Sequence, residues 1–536
     1  MLTCELPYCY TNRVADKQGG LVLADRGDLT EQSATGEHVW DELTSEARGA
    51  RRLVLMAVMM ATFMAAMEST IVATAMPTIV AALGGFRLFS WAFAAYLLTQ
   101  AVTIPIYGRL ADLYGRKRVF FAGAGLFMVA STLCGLAWAM VPLILFRALQ
   151  GAGAGAIQPI ATTIIGDIYR PIERARIQGY ISGVFGVAAI IGPMLGAFLV
   201  QHVTWSLVFW INLPIGAVTF VMFGLFLHER QTPRRHRIDY LGSALMMLGV
   251  GALMLALVEA GNSAGMPTVA ALAAAGLGAL TVLAVHERGV AEPILPLRLW
   301  RDRVIAIGSF SGFTAGVVMM SINGFLPLYV QGAMGRSPTA AGMALGAASV
   351  SWTFASLAAG RLMIRTSYRQ AAVIGGVCLI GGAWVLATLG PASSLLWAVI
   401  GSLLIGAGMG FCNTSFLVST QASVGYGGRG AATSSIMFMR IVGNSVGAAV
   451  FGAILNFGIG RRIPHAGDAV NRLLQPTARE SLGAAEIAQL SDAIGAGLHN
   501  VFIVAGLVAV VSLALALALP ARLSPTRPAA NRRANS

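Results

Sequence analysis

Apolar residues run along this chain in long blocks, separated by short polar connections that are mostly basic. Fourteen blocks reach or approach the length of about 20 residues that a helix needs to cross a hydrocarbon core. They are 53–77, 89–107, 119–138, 141–165, 177–200, 205–227, 240–260, 267–285, 304–330, 339–362, 371–390, 394–420, 430–456 and 500–520. The period-two alternation of a membrane β-barrel does not occur. Most blocks carry internal Gly, Pro, Ser or Thr, which let helices approach closely and bond across an interface. The pattern therefore predicts an all-α polytopic membrane protein with 14 transmembrane helices packed as a bundle.

Of 536 residues, 56% are hydrophobic and 11% charged, against about a quarter charged in soluble domains. The basic residues are unevenly placed. With residues 1–50 inside, the inner loops hold Arg109, Arg116, Lys117, Arg118, Arg170, Arg174, Arg176, Arg230, Arg234, Arg235, Arg237, Arg288, Arg298, Arg301, Arg303, Arg361, Arg365, Arg369 and Arg429. The short outer loops hold only Arg87 and Arg336. The positive-inside rule then predicts a multi-pass protein of the inner (plasma) membrane with both termini cytoplasmic. The formal charge of +14 is a topology signal that also suits anionic inner-leaflet lipid. There is no basic stripe interleaved with aromatics, so the bilayer is an expected partner and nucleic acid is not.

Repeats suggest the organisation. Gly108-Arg109-Leu110 recurs as Gly360-Arg361-Leu362, each at the inner end of an even-numbered span. GAGAGA at 151–156 is echoed by GAGMGF at 406–411, again eight spans on. Residues 51–228 are thus expected to form one six-helix bundle and 291–521 a second, with two inserted helices over 229–290. Two related bundles around a midplane site is the architecture of a secondary transporter. Residues 1–50, with nine acids against Arg13, Lys17, Arg26 and Arg48, lack the pattern of a cleavable signal and are expected to be a disordered cytoplasmic tail, as is 522–536. Residues 457–499 are expected to form a long polar outer loop with a surface helix near 480–494.

Three charges fall well inside the spans: Glu68, Arg147 and Arg440. Such groups cost a few kcal/mol each on insertion scales and mark functional positions. At 1.5 Å per residue Glu68 lies about 22 Å from the inner end of span one, and Arg147 about 9 Å from the outer end of span four. In a core about 30 Å thick these are nearly one depth. Desolvation favours a neutral carboxyl and a neighbouring guanidinium favours the ionised one, so small rearrangements would load or release a proton at Glu68. A permanent ion pair that only fixes packing is the plainer alternative.

Gln100, Gln158, Asn212, Asn323, Gln331, Asn413 and Asn444 are candidates to line a cavity with Arg440, or to bond between helices. Met56, Met60, Met64 and Met67 recur at helical spacing on span one. They suit either a surface accepting varied ligands, with Met64 in the cavity, or plain packing. Cys4, Cys9, Cys134, Cys378 and Cys412 have no metal-ligand spacing and form no disulfide framework. Neither a phosphate-binding loop G-x-x-x-x-G-K-[ST] nor H-E-x-x-H is present, so the sequence offers no machinery for ATP-driven transport or zinc proteolysis. No cofactor and no metal are expected.

GRLADLYGRKRV at 108–119 closely resembles the loop signature of the major facilitator superfamily between its second and third spans. LFRALQGAGAG at 145–155 resembles the span-four signature, with Arg147 as its arginine, and GVAAIIGPMLGAF at 186–198 the span-five antiporter signature around Gly192, Pro193 and Gly196. MESTIVATAMPTI at 67–79 and FWINLPIG at 209–216 are similar to spans one and six of the fourteen-span drug:proton antiporters, and FLPLYVQ at 325–331 extends the ordered set. This chain has Glu68 where that span-one signature usually has Asp, and Ala73 where it usually has Asn. Ile364 stands at the second-half position matching Asp112.

The resemblance implies a proton-coupled antiporter, not an enzyme, that exports amphipathic small molecules, cationic or aromatic, by alternating access. Glu68 would carry the proton and Arg147 modulate it. Gly108, Asp112, Gly115, Arg116 and Lys117 would form a cytoplasmic latch, and Gly192, Pro193 and Gly196 a gate. Gln100, Gln158, Asn323, Asn413, Met64 and Arg440 are the candidate substrate contacts, and the expected state is a monomer. A dedicated exporter of an endogenous metabolite or lipid is the rival reading, and a non-transporting membrane sensor a third.

Overall fold

The computed structural model describes residues 45–169, 171–227, 239–261, 265–290, 299–424, 429–463, 467–475, 479 and 482–520. Within helices, some side chains, those of Arg109 and Asp112 among them, fall outside the described part. The expected tails lie outside it too, but for the last six residues of 1–50. The chain divides into two compact units, Met1–Val54 and Leu55–Ser536, and the candidate site belongs wholly to the second.

The described residues are helical, with no strand. The long helices are α1 (Ser45–Leu83), α2 (Phe89–Tyr114), α3 (Arg116–Gly135), α4 (Met140–Ile168), α5 (Pro171–His202), α6 (Asn212–Phe226), α7 (Tyr240–Gly261) and α8 (Met266–His286). After them come α9 (Arg303–Met320, extended by further turns to Ala333), α10 (Pro338–Arg365), α11 (Tyr368–Ala387), α12 (Leu395–Ser423), α13 (Arg429–Arg462) and α14 (Ala484–Ala518). Thirteen are long and apolar enough to cross a membrane on their described residues, and α7, 22 residues long, is the fourteenth. The fourteen expected spans and the fourteen helices correspond one to one.

Glycine makes two of the turns possible. Gly84 and Gly85, both at φ 73°, end α1 and lead into α2; Gly115, at φ 96°, is the single-residue joint between α2 and α3. A side chain would be strained at all three. Asp302, Ser337, Ser367 and Ser394 cap the starts of α9, α10, α11 and α12 by accepting backbone N–H bonds.

The internal repeat is visible in packing. On α4, Gly151 and Gly155 lie against α2 at Tyr96 and Thr103, while Gly153 lies against α3 at Gly123 and Phe127. On α12, Gly406 and Gly410 lie against α10 at Ala348 and Trp352, while Gly408 lies against α11 at Gly375 and Leu379. A Cβ at any of these six would collide with its neighbour. Thr99 donates to the Ala148 carbonyl at 2.7 Å, and Ser351, its counterpart, to that of Leu403 at 2.7 Å. The same three-helix packing therefore occurs twice, in α2–α4 and in α10–α12.

Helices α7 and α8 form a hairpin closed by Gly249 against Leu280 and Gly276 against Leu253. Helix α7 rests on α2 and α13, one from each half; α8 is the least buried candidate span. The expected outer loop 457–499 is largely helical: α13 runs to Arg462, a short helix covers Gly467–Leu474, and α14 begins at Ala484, well before the expected 500. The early turns of α14 are held because Ile494 packs near Gly332 and Ser491 donates to its carbonyl at 3.4 Å.

The halves join at the end carrying the α1–α2 turn. Gln331 donates to the Thr74 carbonyl (3.1 Å), Ser445 to that of Ala94 (3.1 Å), Asn456 to that of Arg87 (3.0 Å), and Gln475 to that of Ala81. Thr339 donates to Gln201 Oε1 at 2.9 Å. Phe325 is wedged between Phe89 and Phe451 with ring centroids 5.7 Å from each.

Candidate functional site

The two charges set at one depth meet inside the first half. Arg147 Nη1 donates to Glu68 Oε1, with Glu68 0% and Arg147 1% exposed. The second carboxylate oxygen, Oε2, accepts from Asn212 Nδ2 at 2.6 Å. Arg147 also donates through Nη1 to Gln150 Oε1 (2.6 Å) and through Nε to the Ala92 carbonyl (3.2 Å). Gln150 Nε2 passes the chain on to Ser131 Oγ at 2.6 Å. The guanidinium carbon stands 4.1 Å from the centroid of Tyr96 and 5.9 Å from that of Phe209.

Each group arrives on a different helix: Glu68 on α1, Tyr96 and the Ala92 carbonyl on α2, Ser131 on α3, Arg147 and Gln150 on α4, Asn212 at the first turn of α6. The glycine ladder starts one turn after Arg147 and draws α4 against α2 and α3, which places the guanidinium over Tyr96. A charge pair out of water survives only with its remaining donors and acceptors satisfied, and here both carboxylate oxygens and two guanidinium nitrogens have partners. Asn212 Oδ1 alone is buried without one. Chemically, the cluster holds one acid, Glu68, whose carboxylate shares the Arg147 guanidinium with neutral acceptors. Gln150 and the Ala92 carbonyl already accept from the same guanidinium.

Among the latch residues, Gly108 has open space around it and Gly115 makes the joint described above. Lys117 Nζ donates to the carbonyls of Gly224 (2.8 Å) and Leu227 (2.9 Å), closing the C-terminus of α6, where a cation meets the negative end of the helix dipole. That contact ties α3 to α6 within one half. Arg116 is half-buried, and the side chain of Asp112 lies outside the described residues. The residues expected to form a gate sit where α5 meets α1 and α10. Gly192 and Gly196 let α5 press on α1 at Thr70 and Ile71, while the Pro193 carbonyl faces Gly342 on α10 of the other half.

The candidate cavity residues separate into two groups. Gln100, Gln158, Asn323, Asn413 and Arg440 are half-buried, and none of their side chains bonds to another described residue. Met64 does not belong with them: at 1% exposure it is packed between α1 and α6 beside Gly216 and Met128. Met67 is equally buried, whereas Met56 is 53% exposed, so the methionine stripe turns from surface into core as α1 rises. Gln331 and Asn212 make interhelical bonds instead. Asn323 lies in one of two π turns, Ser321–Phe325 and Tyr329–Ala333, that flank Pro327 in the extension of α9. Such turns often mark functional positions.

Gln150, Ser131 and Tyr96 were not singled out by sequence. The available signal was the position of Gln150 one turn after Arg147, which puts both on one face of α4.

A family model described as Major Facilitator Superfamily matches residues 58–448. The chain is 33% identical over 418 residues to Multidrug transporter protein MdtP of Bacillus subtilis (strain 168), covering 77% of each. It is 30% identical over 415 residues to Multidrug resistance protein 3 of the same organism, covering 77% of this chain and 81% of that one. Its fold is similar to the crystal structure of a bacterial homologue of the human lysosomal transporter Spinster, in an inward-facing and unoccupied conformation. The TM-score is 0.62 and the identity 18%, over 87% of this chain and 96% of that one. The packing shared by α2–α4 and α10–α12, the span-four arginine and a family match over residues 58–448 agree: the chain belongs to the Major Facilitator Superfamily.

Proposed function

We propose that the protein is a proton-coupled antiporter of the inner (plasma) membrane that exports amphipathic small molecules by alternating access. The observation that carries the proposal is the buried Glu68–Arg147 pair, in which the guanidinium has two further acceptors ready. Protonation of Glu68 removes the charge that holds Arg147, and the guanidinium shifts toward Gln150 and the Ala92 carbonyl. The Asn212 amide stays with the neutral carboxyl. Helices α1, α2, α4 and α6 would thus feel the proton directly, and α1 also carries Thr70 and Ile71 against the gate on α5.

With basic loops inside, the joined end is the outer one, which suits loading from the cytoplasm. The free polar side chains of Gln100, Gln158, Asn323, Asn413 and Arg440 fit a water-filled route between the halves, since an unbonded polar group in lipid is costly. Relatives named for multidrug transport support export of varied molecules. The test is ethidium movement in vesicles under an imposed pH gradient, in the parent and in Glu68→Gln. Gradient-driven movement lost in the variant is expected. A variant that transports like the parent makes the cluster structural, and a folded parent that moves no dye shifts the assignment to a narrow-substrate exporter.

A further inference from the structure

Of the three charges within the spans, Glu68 and Arg147 neutralise each other, which leaves Arg440 as the net charge of the membrane interior. Arg440 is eight residues inside the span that begins at Ala432, about 12 Å along the helix. It is half-buried and makes no hydrogen bond or ion pair with any described residue. Helices α9 through α13, including the π-turn extension of α9, contain no Asp or Glu, and the acids of α14, Glu486 and Asp492, lie in its first three turns, with Glu486 paired to Arg472.

An unpaired guanidinium at this depth is tolerable only where it meets water or a ligand. The close fit of Gly316 against the Arg440 carbonyl and the Asn444 backbone sets this stretch of α13 firmly on α9. Asn444, one turn on, has a buried carboxamide oxygen without a partner and no other side-chain bond. Two polar side chains without partners among the described residues therefore lie on one side of α13: Arg440 offers a planar fork of donors, and Asn444 an amide whose NH2 can donate while its buried Oδ1 can only accept. That donor set matches the oxygens of an acid, which Arg binds in pairs. A cation would find repulsion and no carboxylate.

We propose that Arg440 and Asn444 form an anion-recognising subsite of the transport cavity, so that the exported molecules include amphipaths bearing a carboxylate, sulfonate or phosphate. The proposal rests on the export reading above and adds acidic amphipaths to the range of molecules exported.

The test uses two dyes sharing a ring system, the carboxylate fluorescein and the cation rhodamine 6G. Their binding to the purified full-length protein is followed by fluorescence polarisation at one fixed pH. The parent is expected to bind fluorescein more tightly than rhodamine 6G. Arg440→Gln should weaken fluorescein binding about tenfold or more, as expected when a charge-assisted bond is lost; Arg440→Lys should retain part of it. Asn444→Asp, which sets a carboxylate beside the guanidinium, should lower fluorescein binding and raise rhodamine 6G binding. This gives a second reading should Arg440→Gln fold poorly. Equal binding of fluorescein by parent and variants, or a parent that prefers rhodamine 6G, overturns the subsite. Gradient-driven efflux in vesicles, read after extraction into one buffer, separates the two claims. Fluorescein that binds through Arg440 yet never moves overturns export and leaves the subsite standing.

Discussion

Around α4 and around α12 the same backbone carries different chemistry. In the first half the glycine ladder holds α4 against α2 and α3, and Arg147, Gln150, Ser131 and Tyr96 occupy the space it creates. In the second half an equivalent ladder holds α12 against α10 and α11, and Ser402, Ile405, Ala383 and Ala348 stand at the corresponding positions, all but fully buried. The ladder thus needs no ions to pack. The second half shows what the same frame looks like without the charges of the first.

That comparison can be broken or sharpened by substitution. The largest effect is expected from Arg147→Ala, which leaves Glu68 buried without its counter-ion and should cost about 3–5 kcal/mol. The double variant Glu68→Gln with Arg147→Met should recover most of that stability while losing gradient-driven export, as read by thermal unfolding and vesicle transport. If the double variant is no more stable than Arg147→Ala, the pair is a packing device and the halves differ less than described. Next in size, Gly153→Val and Gly408→Val should each cost about 1–3 kcal/mol by overpacking, and by similar amounts. A large difference between them would deny that the two ladders are equivalent. The smallest effect belongs to Ser402→Ala. The Ser402 hydroxyl is buried and has no partner, so its loss should be neutral or stabilising by up to about 1 kcal/mol. A marked loss would reveal a polar role in the second half.

Much of this was legible from sequence, because a bilayer imposes its thickness on every span. The fourteen hydropathy blocks match fourteen helices, yet their ends do not: α14 starts at Ala484 and α1 runs to Leu83. Hydropathy senses where the chain leaves lipid, whereas a helix continues as long as its backbone bonds and one packed face allow. Depth arithmetic set Glu68 and Arg147 at one level, since rise per residue is fixed. It carried no information on azimuth, so Gln150 and Ser131 were indistinguishable from the many neutral polar residues of the other spans. Met64 was misassigned for the same reason: spacing shows which residues share a face, and only the neighbours Gly216 and Met128 decide that the face is buried. The π turns around Pro327 leave no mark on periodicity at this length.

The inserted hairpin makes the two sides of the molecule unequal toward the bilayer. Helix α7 leans on both α2 and α13 and so roofs one of the two lines along which the halves meet, while among the described residues neither inserted helix packs on the line between α5 and α10. Along the α5–α10 line the helices fit closely without a third: a side chain at Gly186 would meet Thr353 at 3.3 Å, and one at Gly342 the Pro193 carbonyl at 2.8 Å. The two lines of contact between the halves are therefore built differently, one of three helices and the other of two. The hairpin gives an otherwise two-fold machine a front and a back.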